Sequence, residues 1–190
     1  MQEPSDDSSL IQRSVAGDTT AFDQLVIRYQ SRLVHSLELC FTSRDDALEI
    51  AQTAFISAWR KLSSFQQESS FYSWLYRIAM NAGISRRRRE RLRTVSLQAR
   101  DDNSSIAVPN QSPSASPDEQ LQNAETVEII REELRKVSPE FRAALVLKEI
   151  DGFSYEQISD ILEIPIGTVR SRIFRARQEL ADRLRRQFLE

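Results

Sequence analysis

The chain has one cysteine, one histidine and four glycines in 190 residues, and each scarcity excludes something. The lone Cys40 cannot form an internal disulfide or build a zinc cluster, so a reducing compartment suits the chain. His35 sits in a long amphipathic stretch with no neighbour suited to nucleophilic or metal chemistry. No glycine-rich phosphate loop, metal-spaced cluster or nucleophile elbow occurs, which argues against catalysis and leaves no cofactor to expect. Apolar runs stay short of the ~18 residues that a membrane span requires. The opening residues, MQEPSDDSS, are acidic and polar, unlike a signal peptide. With glycine and proline rare and Leu, Arg, Glu, Ala and Gln abundant, an all-helical protein is the expectation. The length allows two small cores.

What is present is charge in an uneven distribution. The net charge is only −2, yet Arg86 to Arg93 (RRRRERLR) carries +5, and Gly167 to Arg186 carries another +5. The rest of the chain therefore holds −12. Two basic poles on an acidic body predict two contact sites for a polyanion, and the acidic remainder suits a basic protein partner.

The periodicity divides the chain. Residues 1–7 carry no pattern, and residues 8–93 read as one helical unit. Leu10, Ile11 and Val15 open it, and Gly17-Asp18 breaks and recaps it. Phe22, Leu25, Val26, Tyr29, Leu33 and Leu37 then form an apolar stripe at helical spacing. Ser43, with Asp46 three residues on, caps a further helix through Ile50, Ala54, Phe55 and Trp59, whose two aromatics fit its buried face. A polar loop over residues 63–70 leads to a fourth helix from Phe71 to Leu92. From Thr94 to Asp118 periodicity vanishes among serines and prolines, as in a flexible linker. A second helical unit occupies 119–190, with Ser138-Pro139 starting one of its helices and Asp151-Gly152 making a turn.

The most specific stretch is Ser154 to Leu184, a short helix, a tight break and a long basic helix. Ser154 and Gln157 make a capping box, and Ile158, Ile161 and Leu162 supply an apolar face. Pro165 and Gly167 mark the break. The second helix buries Val169, Ile173, Ala176, Leu180 and Leu184, while Arg170, Ser171, Arg172, Phe174, Arg175 and Arg177 face outward. Four arginines in two turns repel one another in isolation but suit a major groove. The fold class is thus all-α: two small helical domains joined by a flexible linker, the C-terminal one containing a helix-turn-helix.

Two blocks carry a resemblance. SPEFRAALVLKEIDGFSYEQISDILEIPIGTVRSRIFRARQEL resembles the promoter-reading C-terminal domain of bacterial RNA polymerase sigma factors of the extracytoplasmic function (ECF) group. LIQRSVAGDTTAFDQLVIRYQSRL, DDALEIAQTAFISAWRKLSSF and SSFYSWLYRIAMNAGISRRRR resemble that group's N-terminal domain. The resemblance covers residues 8–187 apart from the linker, and it implies a dissociable, cytoplasmic specificity subunit of the polymerase. The C-terminal domain would read the −35 element as duplex, and the N-terminal domain would hold the polymerase clamp and capture the opened −10 strand. An anti-sigma protein is a further implied partner.

Site residues follow from combining the two readings. Arg172 and Arg175, one turn apart, are placed for guanine edges, with Ser171 and Phe174 between them. Thr168, Arg170 and Arg177 suit phosphates. Seven of the fifteen aromatics lie between Phe55 and Tyr76. Among them Phe65, Phe71 and Tyr72 border the polar loop, where an extruded base can stack. By resemblance that loop and Asn81 surround a flipped base; Trp74 and Tyr76 fit either the core or the site. Arg77, Arg86, Arg87 and Arg88 would meet phosphates beside the melted bases. Polymerase docking falls by resemblance on Asp45, Asp46, Glu49 and Gln52. The chain departs from the family pattern at Leu48 and Thr53, where carboxylates are usual, and at Glu163, where a glycine usually makes the bend. Operator binding by a stand-alone helix-turn-helix regulator is the alternative. It explains the C-terminal half but leaves the aromatic loop and the Arg86 run without a purpose.

Overall fold

A computed structural model describes residues 6–66, 68–96 and 117–189, and among them every regular element is helical. The N-terminal unit comprises α1 (Asp7–Val15), α2 (Thr19–Phe41), α3 (Arg44–Lys61) and α4 (Phe71–Ser96). The C-terminal unit comprises α5 (Pro117–Lys136), α6 (Pro139–Glu149), α7 (Tyr155–Leu162) and α8 (Ile166–Leu189). Most of the span assigned to the linker lies outside the described residues. At its edges, residues 94–96 continue α4, and Pro117 and Asp118 open α5.

Local chemistry sets the helix ends as expected. Asp18 caps α2 by accepting from the Ala21 amide, and Ser43 caps α3 by accepting from that of Asp46. The Ser154–Gln157 capping box is complete in both directions. Hydrogen bonds from Thr20 and Arg13 hold the Asp18 carboxyl down at about 2. At Ser138 the helix starts on Pro139 without any bond from the serine side chain. The loop after α3 begins with a 3₁₀ turn, Leu62–Ser64.

In the N-terminal unit α2 packs along α3 and α3 along α4, with Leu25, Leu33, Leu37, Ala47, Ala54 and Leu75 fully enclosed. Burying a leucine contributes about 1.5–3 kcal/mol. Gly83 permits the close approach of α4 to α2, because a Cβ there would overlap the Phe41 ring. In the C-terminal unit α6 and α7 pack against α8 through Val169, Ile173 and Ala176.

Three expectations need correction. Val15 ends α1 pointing to solvent rather than into the core, since Leu10 and Ile11 already fill that side. Trp59 is 37% exposed, with its ring tilted against Phe22 at 5.0 Å. The break in the helix-turn-helix does not use Gly167, which already belongs to the first turn of α8. The left-handed residue is Glu163, with φ 54° and ψ 44°.

The two units are packed together, α2 against α6 and α4 against α7. This arrangement decides which candidate residues are accessible.

Candidate nucleic-acid interface

Helix α8 presents one of the two candidate surfaces. Phe174 is 61% exposed, so it is not a packing residue. Arg170, Ser171, Arg175 and Arg177 are exposed beside it, and Thr168 and Arg172 are half-buried. The arginines lean on their own domain. Arg172 pairs with Glu140 at 2.7 Å and Arg177 with Glu149 at 2.5 Å, both acids lying on α6. Arg170 lies over the Tyr155 ring at 5.8 Å and Arg175 over Phe141 at 5.9 Å. The Ser171 hydroxyl donates to the Thr168 carbonyl at 2.9 Å and remains exposed. Exposed pairs of this kind are worth about 0–1 kcal/mol, so a phosphate or guanine displaces them at low cost.

The second candidate surface is covered. Phe71, Tyr72 and Trp74 are all buried, Tyr72 being 4% exposed. Phe65, half-buried, packs against Trp74 at 4.9 Å and edge-on against Phe71 at 6.1 Å. These rings, expected to border an open loop, instead form a cluster that continues to Tyr29. Over Tyr72 lies Phe153 of the C-terminal unit, stacked at 5.7 Å and 16°, and the same ring meets Tyr76 edge-on. Asn81 donates to Glu163 across the same junction at 3.1 Å. Arg77 and Arg88 remain exposed, and Arg87 lies 5.8 Å above the Phe41 ring.

Two buried charged side chains organise the junction, and neither stood out in the sequence. Asp151 accepts from Tyr72 at 2.9 Å and from Ser36, with Arg32 at 3.6 Å. Arg32 also donates to the Asp151 carbonyl at 2.8 Å and caps the Tyr72 ring at 4.2 Å. Burial pushes the Asp151 carboxyl above its ordinary value, and the hydrogen bonds from Ser36 and Tyr72 oppose that rise. Burial likewise raises the hydroxyls of Tyr72 and Tyr76 and lifts the Cys40 thiol to about 12. Arg142 is almost fully enclosed, and its guanidinium donates to the carbonyls of Cys40, Arg135 and Val137. Those carbonyls end α2 and α5, where helix dipoles place negative charge. An arginine on the apolar face of PEFRAALVLKE was the available signal for this contact.

The polymerase-docking candidates lie on α3, where Asp45, Glu49 and Gln52 are exposed and Asp46 is half-buried. Arg86, expected at phosphates, instead reaches back to these acids. It pairs with Asp46 at 2.8 Å, with Glu49, and with Glu90 at 2.9 Å. The hydrogen bond with Glu49 raises its pKa further. Leu48 stands 47% exposed on the same helix.

Comparison with known proteins decides the lineage. The Sigma-70 region 2 model matches residues 25–93, and the Sigma-70 region 4 model matches 127–180. The ECF RNA polymerase sigma-E factor of Escherichia coli K12 is 37% identical over 189 residues, covering 97% of each chain. The chain belongs to the ECF sigma factors. The Haemophilus influenzae sigma-E factor is 34% identical over 186 residues, covering 97% of this chain and 98% of that one. Among solved structures, the sigma factor RpoE of Bartonella quintana, crystallised with the anti-sigma factor NepR, matches with a TM-score of 0.72 and 26% identity. It covers 86% of this chain and 96% of its own. CnrH, in complex with the cytosolic domain of CnrY, shares the fold at TM-score 0.62 over 94% of this chain and 96% of that one. This sigma factor is therefore a promoter-specificity subunit that works with core RNA polymerase and promoter DNA. No helix among the described residues is long and apolar enough to cross a membrane.

Proposed function

We propose that this sigma factor divides its work between a duplex-reading unit, residues 119–190, and a strand-capturing, polymerase-docking unit, residues 8–93. Residues 94–118 serve as the tether and 1–7 as a leading segment. On the −35 element, Arg172 and Arg175 read bases with Phe174 against an apolar base face, while Thr168, Arg170 and Arg177 hold phosphates. On the −10 strand, the loop around Phe65 with Phe71, Tyr72, Trp74 and Asn81 takes the extruded base, and Arg77, Arg87 and Arg88 hold its phosphates. Asp45, Asp46, Glu49 and Gln52 face the clamp of the largest polymerase subunit. The chain itself carries no catalytic step in this reading, and its place of work is the cytoplasm, with the polymerase.

We further infer that the packed arrangement is a resting form, which must open before promoter DNA is engaged. One observation carries this: Tyr72 lies under Phe153, and Asn81 is bonded to Glu163, while the recognition face of α8 stays exposed. A strand cannot stack where another ring already does. The Bartonella quintana relative was solved with an anti-sigma factor, which supports an inhibitor that holds this closed form.

Run-off transcription with purified core polymerase and a promoter library tests the assignment. Transcripts that depend on this chain and start at a fixed distance from a shared −35/−10 pair are expected. DNA binding without transcripts would instead favour an operator-binding regulator.

A further inference from the structure

We propose that Arg86 is an exchange residue: it holds the acidic face of α3 in the free chain and passes to the −10 strand when polymerase takes that face. The proposal rests on the docking and strand-capture roles assigned above. Its starting point is a groove of about 410 Å³ between α3 and α4, floored by Ile50 and Ala82 and rimmed by Glu49, Glu90, Arg86 and Arg89.

The geometry has three parts. First, the guanidinium of Arg86 engages three carboxylates, Nη2 with Asp46, Nη1 with Glu49 and Nε with Glu90. One guanidinium is thus shared among three carboxylates, two of them on α3, so a second basic side chain can compete with it for Asp46 and Glu49. A planar guanidinium matches carboxylates with a fixed fork of donors, and its seating here defines the chemistry of the partner: an arginine-bearing basic surface. Second, the pairs are wet. Glu49 is 63% exposed and Glu90 51%, and exposed ion pairs are weak enough to trade partners. Third, Arg86 begins the run Arg86-Arg87-Arg88-Arg89 on the helix that carries Asn81, so a released guanidinium is already on the strand-capturing element.

Because Arg86 and an incoming basic side chain compete for the same acids, the two events are linked reciprocally. Polymerase that takes Asp46 and Glu49 frees Arg86 for phosphate. A chain without Arg86 offers its acids uncontested. A residue that merely staples α3 to α4 makes the opposite forecast, because its loss loosens the docking face.

The test measures the affinity of the full-length chain for core polymerase, then the affinity of the resulting holoenzyme for a single-stranded −10 oligonucleotide. For Arg86→Ala the expectation is a rise of about two- to fivefold in the first and a fall of similar size in the second. Arg86→Lys keeps a cation on α4 without the fork, and it should shift both in the same directions by less. Unchanged or weakened polymerase binding by Arg86→Ala overturns the exchange, as does unchanged strand binding. A wild-type chain that does not bind core polymerase overturns the docking assignment beneath it, and the exchange with it.

Discussion

The two surfaces proposed for DNA differ in one respect above all: the outer face of α8 stands open, while Tyr72 of α4 lies under a lid. Their chemistry explains the difference. A face of arginines with one exposed phenylalanine is stable in water, because charge keeps it solvated. A patch of Phe71, Tyr72 and Trp74 left bare would be a contiguous apolar surface, a hazard for association. Phe71 and Trp74 find cover within their own unit, from Tyr29 and Phe65, whereas Tyr72 takes it from Phe153 and Asp151 of the other.

The largest effect should come from the lid. Phe153→Ala removes a ring buried against Tyr72 and Tyr76, at a cost of about 3–5 kcal/mol for an enclosed aromatic. The two units should then separate, seen as a longer distance between fluorophores on exposed positions of α3 and α8. A distance unchanged from wild type would mean that the cover does not depend on this ring. The open surface should respond differently. Arg172→Ala is expected to lose about 1–3 kcal/mol of binding on a matched −35 duplex and much less on a scrambled one. Equal loss on both duplexes would reduce Arg172 to a phosphate contact.

Glu163→Gly sharpens the contrast, because it acts on the fold and the lid in opposite senses. Glycine accepts the left-handed backbone that costs a glutamate about 1 kcal/mol, so the melting temperature should rise. The bond to Asn81 is lost at the same time, and a −10 oligonucleotide should bind the free chain more tightly. A lower melting temperature would contradict the strain argument. The smallest effect is pH-dependent. The Asp151 carboxyl is raised in the closed form and falls back towards 3.8 when water reaches it, so the closed form holds the proton more tightly. Closure should strengthen as pH falls through the window just above 3.8 and weaken as pH rises out of it. Arg32 and His35 of α2 favour the charged form and moderate the trend. Asp151→Asn should flatten it, as followed by the same fluorophore distance.

Much of the helical order was legible because its signals are local. Caps at Asp18, Ser43 and Ser154, and the stripe through Val169, Ile173 and Ala176, depend only on residues three or four apart. The exposure of Arg170, Phe174, Arg175 and Arg177 on α8 was legible for the same reason. The junction was not, since Asp151 reads as an ordinary turn residue until Ser36 and Tyr72, 115 and 79 positions away, come to it. Arg86 shows a similar limit: its place in a basic run suggested phosphate, whereas its nearest acids lie one helix back. Glu163 departs from the family pattern at the bend. What spacing could not show is that its side chain spans to Asn81.

Arg142 sets how cleanly the halves can come apart. Of the three carbonyls it grips, only that of Cys40 belongs to the N-terminal unit; those of Arg135 and Val137 travel with it. Undocking thus strips the guanidinium of one acceptor and leaves two, whereas the Asp151 carboxylate gives up Ser36, Tyr72 and Arg32 together. The cost of parting the halves therefore falls on the aspartate, and the arginine stays anchored to its own unit throughout.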